Sequence, residues 1–277
     1  MATTSTGNYP LTDTLSNNAS TATHLAIEVI PFVPTPTATP TNTPVIASFV
    51  TSAQYAFANS PTITIPWTPS VTGVDELLCV MIATNNTDNK SVVQQVSYAG
   101  NAFTPQLQVP SRQYSEGIEF WTFSLGSYPY SGFPTGNIVI TQPSYNTIIN
   151  DEVTVLEYGG AAQNAFLNVN SASSLQQALQ STTTQCSLIS QFQRSFIFSG
   201  YSGVKGIQTF PGGFTNLQYA HKYGTWASAD HQGPTGPTTY TSAYVSLPPY
   251  NPAASVMMAE IPSFSYFTPT ITPTPHP

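Results

Sequence analysis

Leu77-Leu78-Cys79-Val80-Met81-Ile82-Ala83 is an unbroken apolar run. A strand with one wet face alternates, and an amphipathic helix repeats every three to four residues. A short run without either period reads as a central β-strand covered on both faces. Working outward, Val45–Phe57 and Thr62–Trp67 are β-branched and aromatic, with the turn signal Asn59-Ser60-Pro61 between them. Val92–Tyr98 ends at Ala99-Gly100-Asn101, and in Gly117–Leu125 the residues Ile118, Phe120 and Trp121 compete for the inner face. Asn137–Thr141, Glu152–Tyr158, Cys186–Ile189, Ser195–Ser199, Leu217–Trp226, Thr239–Leu247 and Ala254–Ile261 continue the pattern, each bounded by turn-forming residues. Residues 161–184 hold the one expected helical insert, around Ser174–Ser181. This succession predicts an all-β chain, an antiparallel β-sandwich or jelly roll over 45–262.

The ends have a different chemistry. Residues 1–30 are polar and irregular, closing with the apolar patch Leu25-Ala26-Ile27 and Val29-Ile30. Pro34, Pro36, Pro40 and Pro44 follow in a Thr-Pro rhythm that Pro269 and Pro273 repeat near the C-terminus. Proline at this density excludes helix and sheet interiors and favours an extended polyproline path. The expected organisation is an N-terminal arm at 1–44, the β-sandwich at 45–262 and a C-terminal tail at 263–277. A solvated linker is the plain reading of such tracts; subunit contact is the sharper one.

Charged residues make up 6% of the 277 residues, where an ordinary soluble domain carries about 25%. Only five are Lys or Arg, and they do not cluster, which argues against nucleic-acid binding and against attraction to anionic lipid. No stretch is long and apolar enough for a membrane-spanning helix, and Met1–Ser20 lacks the basic and apolar regions of a signal peptide. A protein made in the cytoplasm and exposed later, as a virion protein is, fits that combination.

Candidate chemistry is sparse. Cys79 and Cys186, the only cysteines, sit in apolar runs and read as buried thiols, although a disulfide stays open. His221, His231 and Asp230 could meet at one end of a sandwich, but their spacing fits no metal motif. Asn85–Asn89 lacks the acidic load of a calcium loop. Glu116, Glu119, Asp151, Glu152 and Glu157 could pair as glycosidase acids do; their alternation with Ile118, Phe120, Val153 and Val155 reads more plainly as a solvent face. No catalytic residue, cofactor or metal is therefore expected. Tyr128, Tyr130, Phe133, Tyr223 and Trp226 are candidate contacts for a glycan or for another subunit, since aromatic residues serve both roles.

The order of Asp75-Glu76-Leu77-Leu78-Cys79-Val80, Val96-Ser97-Tyr98-Ala99-Gly100, Glu119-Phe120-Trp121, Gly136–Ile140, Val153–Gly160 and Ser255–Ile261 resembles a β-sandwich domain of bacterial surface proteins and phage structural proteins. The Thr-Pro tails resemble the stalks of bacterial surface proteins. The resemblance implies a scaffold role and brings no catalytic residues. Strand edges with almost no Lys are tolerable where neighbouring subunits cover them. The expectation is a non-enzymatic structural protein that assembles with itself or with other virion or surface proteins. It is a capsid, decoration or fibre subunit on a virion surface; the alternatives are an extracellular filament or surface-layer subunit and a carbohydrate-binding adhesin.

Overall fold

A computed structural model describes residues 46–58, 60–70, 75–86, 93–110, 116–126, 135–143, 149–163, 167–174, 183–222, 225–246 and 253–264. The arm and tail prolines Pro34, Pro36, Pro40, Pro44, Pro269 and Pro273 lie outside them, as do Tyr128, Tyr130, Phe133 and Tyr223.

Nine strands form a first lobe. They are β1 (Ser48–Ala58), β2 (Thr62–Trp67), β3 (Glu76–Asn86), β4 (Gln95–Tyr98), β5 (Asn101–Ala102), β6 (Thr104–Val109), β7 (Gly117–Gly126), β8 (Gly136–Thr141) and β9 (Ile149–Gly159). Eight more form a second: β10 (Asn168–Ser174), β11 (Thr183–Ile189), β12 (Ser195–Gly203), β13 (Ile207–Thr209), β14 (Thr215–Lys222), β15 (Thr225–Thr235), β16 (Thr239–Ser246) and β17 (Ala254–Ile261). Every pairing is antiparallel, and no helix occurs among the described residues.

The pairings follow from one folding rule. In the first lobe β1 meets β9, β2 meets β8, β3 meets β7 and β4 meets β5, as in a long hairpin folded back on itself. Wrapping that ribbon brings β9 beside β3 and β8 beside β4, giving sheets β1-β9-β3-β7-β6 and β2-β8-β4-β5. This is jelly-roll order. The second lobe repeats it strand for strand, β10-β17-β12-β15-β14 against β11-β16-β13, lacking only a partner for β5. The span expected as one sandwich thus holds two sandwiches in tandem.

The two five-stranded sheets face each other, so the sheets form four layers around three cores. The run that opened the reading serves two cores at once. Leu78, Val80 and Ile82 pack toward β2-β8-β4 with Val96, Tyr98, Ile138 and Ile140. Leu77, Cys79, Met81 and Ala83 pack toward the second lobe with Phe198, Ala229 and Met257. Beyond the second lobe's inner sheet, Ile197, Tyr201, Val256 and Met258 meet Cys186, Leu188 and Tyr244. Cys79 and Cys186 are both free and occupy different cores, which closes the disulfide alternative.

The repetition reaches individual residues. Glu157 pairs with Leu78 across the first inner sheet, and Glu260 with Ile197 across the second. That register makes Met81 the counterpart of Gly200, and the two lie against each other: a Cβ built on Gly200 would stand 2.5 Å from the Met81 sulfur. Equivalent residues in mutual contact mark a pseudo-two-fold axis between the lobes. Asp75 (φ 57°) and Arg194 (φ 60°), one residue before β3 and β12, share the same unusual backbone. Bulges recur at matching places, Glu76/Leu77 and Ser195/Ile197, then Pro105/Leu107 and Asn216/Gln218.

Two local expectations meet the structure differently. The helical insert expected around Ser174–Ser181 falls, apart from Ser174, outside the described residues; within the same 161–184 stretch, 168–174 form strand β10, held by a ladder to β17. The single strand expected at Leu217–Trp226 is the hairpin β14–β15.

Candidate assembly surface

Each outer sheet turns alternate residues to the cores and leaves the others outside. On the first lobe the outward row is Thr62, Thr64 and Pro66 on β2, followed by Asn137 and Val139 on β8. On the second it is Gln185, Ser187 and Ile189 on β11 beside Thr239 and Thr241 on β16. The hydroxyls of Ser187 and Thr241 lie 2.8 Å apart across the strands. Neither set contains a charged side chain. Of the described cations, Arg194, Lys205 and Lys222 sit in connections or at a strand end.

The carboxylates lie inside instead. All nine described Asp and Glu side chains are buried: Asp75, Glu76, Glu116, Glu119, Asp151, Glu152, Glu157, Asp230 and Glu260. The expected solvent face for Glu116, Glu119, Asp151, Glu152 and Glu157 does not exist, because each inner sheet is covered on both sides. Glu119 accepts hydrogen bonds from the Val93 N–H (2.6 Å), Gln108 (3.0 Å) and the Trp121 indole (3.1 Å). Asp151 accepts from Thr84 (2.9 Å) and Gln142 (2.7 Å). Loss of water around them pushes both carboxyls up to about 7, against the pull of those hydrogen bonds. Burial does the same for Glu152 and Glu157, also to about 7, with Glu76 beside Glu157 adding like-charge repulsion. Glu116 is raised well above the carboxylate range by burial. Glu119 and Asp151 are thus held among structural donors, whereas Glu116, Glu152 and Glu157 each keep a buried oxygen without a hydrogen-bond partner.

The histidine constellation separates. Asp230 and His231 are adjacent on β15 and therefore face opposite sides of the sheet. Asp230 accepts from Tyr244 (2.7 Å), Ser228 (2.7 Å) and Asn216 (2.8 Å) in the outer core. His231 lies in the inter-lobe core against Phe49, Tyr158 and Phe196, where burial lowers its pKa. Among the described residues no three His, Cys, Asp or Glu side chains gather as a metal site.

Trp226 belongs to a ladder of rings on the half-covered margin of the second inner sheet. His221 stacks on it at 4.1 Å and Tyr219 at 5.4 Å, and Phe210 meets Tyr219 edge-on at 5.2 Å. Sequence patterning singled out Trp226, and the β14–β15 register that brings Tyr219 and His221 to it was not legible, since both strands were read as one.

No family model matches the chain, and no curated protein matches it. A crystal structure of the STIV MCP, a viral major capsid protein, overlaps 78% of this chain and 95% of its own length at 12% identity and a TM-score of 0.25. That overlap is too loose to argue from, and the jelly-roll order rests on the strand pairings alone.

Proposed function

We propose that the protein is a non-enzymatic structural subunit that associates with copies of itself, as a building block of a virion surface. The observation that carries this reading is the placement of charge. Every described carboxylate is internal, while the outward rows of both outer sheets are uncharged and rich in Thr. A monomeric sheet protein guards its strand edges with Lys and other charges; a chain with almost none on its exposed sheets suits a subunit whose neighbours cover them. The pseudo-two-fold axis supports the reading further, because it gives one chain two similar outer faces. The arm at 1–44 and the tail at 263–277 are proposed as further contacts between copies.

The glycan-binding alternative is weakened at Trp226, which already stacks on its own neighbours His221 at 4.1 Å and Tyr219 at 5.4 Å. Electron microscopy and light scattering of purified protein test the proposal. Particles or ordered arrays are expected, and the pair Thr64→Arg and Thr241→Arg should leave folded monomers. A wild-type chain that stays monomeric at high concentration would overturn the proposal.

A further inference from the structure

We infer that Thr84, Asp151 and Gln142 form a self-processing site, in which the Thr84 hydroxyl attacks the Gln142 carboxamide and leaves an ester between the two side chains. The reaction occurs once per chain, inside the first lobe, so it is not turnover of an outside substrate and needs no second copy.

The two groups that Asp151 holds are a nucleophile and an electrophile. Thr84 Oγ1 donates to Asp151 Oδ1 at 2.9 Å, and Gln142 Nε2 donates to Oδ2 at 2.7 Å. One carboxylate thus sits between a hydroxyl to deprotonate and an amide nitrogen to protonate, each within reach of direct proton transfer. The backbone fixes this arrangement. Thr84 and Asp151 are direct partners across β3 and β9, and just past β8 the Gln142 N–H donates to the Pro61 carbonyl at 2.9 Å. None of the three is more than 4% exposed, which keeps out the water that would hydrolyse an ester.

Two observations separate the trio from donors that merely satisfy a buried acid. First, Gln142 Oε1 is buried with no hydrogen-bond partner among the described residues. An amide oxygen left so is costly, and an ester carbonyl, a weaker acceptor, loses less in the same place. Second, the other lobe does without the trio. In the register that matches Met81 with Gly200 and Glu157 with Glu260, Thr84 and Asp151 correspond to Gly203 and Ala254, likewise direct partners. A jelly roll of this kind therefore closes with neither hydroxyl nor acid at that place.

The step balances without an oxidant or a co-reactant. Asp151 Oδ1 takes the Thr84 proton as Oγ1 bonds to Gln142 Cδ, giving a tetrahedral intermediate. The carboxyl then gives that proton to Nε2, the Cδ–Nε2 bond breaks and ammonia leaves. Asp151 is returned as a carboxylate, and protonation of ammonia in solvent draws the exchange forward. Burial raises Asp151 to about 7, so near neutral pH it serves as base and then as acid. Its charge is felt by Glu119 and Glu152 nearby. The ester ties β3 of the inner sheet to the end of β8 in the outer one.

Mass spectrometry of the full chain, kept folded at pH 7 and then denatured and digested with trypsin, tests the inference. Cleavage after Lys90 and Arg112 separates Thr84 from Gln142. Residues 1–90 should nevertheless remain joined to 113–194, short of one ammonia, and hydroxylamine, which cleaves esters and spares amides, should part them. Thr84→Val should abolish the link and Thr84→Ser should keep it. Asp151→Asn should slow its formation roughly 100-fold or more. Folded wild-type chain with its full sequence mass overturns the inference. So does an ammonia loss that persists in Thr84→Val or a link that resists hydroxylamine. The wild-type mass decides even where a variant fails to fold.

Discussion

Glu157 and Glu260 occupy the same register position in the two lobes, near the end of the strand that completes each inner sheet. Each reaches the connection between the second and third strands of its lobe, yet the two differ in charge. Glu260 accepts from the hydroxyls of Ser190 (2.7 Å) and Ser195 (2.8 Å), the N–H groups of Gln191 (2.9 Å) and Phe192 (2.9 Å), and Asn168 (3.1 Å). Burial opposes ionisation there, but those donors win and hold its carboxyl below the usual range. Glu157 accepts from the Ser70 N–H at 2.8 Å, and where Ser195 stands in the second lobe the first has another acid, Glu76. Burial comes first and Glu76 second in raising Glu157 to about 7. One fold, used twice, holds a charged anchor in one lobe and, in the other, one that takes up its proton near neutral pH. The number of donors decides which.

The largest expected effect is therefore a pH dependence concentrated in one lobe. Glu119, Asp151, Glu152 and Glu157, all in the first lobe, are raised to about 7, from ordinary values near 4. Groups raised on folding stabilise fully below about pH 4, and that contribution is lost as pH climbs through 7. Stability should fall by about 3 kcal/mol or more between pH 5 and pH 8. Hydrogen exchange, corrected for intrinsic rates, should show β3, β7 and β9 loosening before β12 and β17. In the second lobe Asp230 is raised by burial and adds the same sign, whereas Glu260 stabilises above about pH 4.3 and loses that only below it. A stability profile that is flat, or that rises toward pH 8, would break the comparison.

Next in size is the pair of amide substitutions. Glu260→Gln removes the charge from several charge-assisted bonds and should cost about 3 kcal/mol. Glu157→Gln should cost under about 1 kcal/mol at pH 5 and flatten the pH profile, because below 7 it replaces a carboxyl already mostly neutral. Equal costs in denaturant unfolding would refute the assignment.

At the pseudo-axis, Gly200→Ala should cost about 1–3 kcal/mol through crowding of Met81, with Ile118 and Met257 also close. A double-mutant cycle with Met81→Ala should return a coupling of about 1 kcal/mol or more. The smallest effect separates the matching left-handed residues. Arg194→Gly should stabilise by roughly 0.5–1 kcal/mol, since Arg194 is exposed at φ 60°. Asp75→Gly should bring no gain, because Asp75 is buried and its interactions would go with it.

The all-β class was legible in the apolar and β-branched runs, and Thr62–Trp67 and Ala254–Ile261 match β2 and β17 end to end. Strands whose residues look like turns were missed. Thr104–Val109 contains Pro105, which an edge strand tolerates, and Asn168–Ser174 is rich in Asn and Ser. The duplication was hidden because the lobes share topology, bulges and a glutamate but few side chains. Where β3 reads Leu78-Cys79-Val80-Met81, β12 reads Ile197-Phe198-Ser199-Gly200. The buried acids were misplaced for a related reason: alternation with apolar residues signals a wet face only when a sheet has one.

Each lobe is closed by its last strand. β9 enters between β1 and β3, and β17 between β10 and β12. During synthesis the first lobe can complete itself once residue 159 has left the ribosome, well before its twin exists. The second must wait with an empty central slot until residue 261 has followed, and its inner face has a finished template to settle on while it waits.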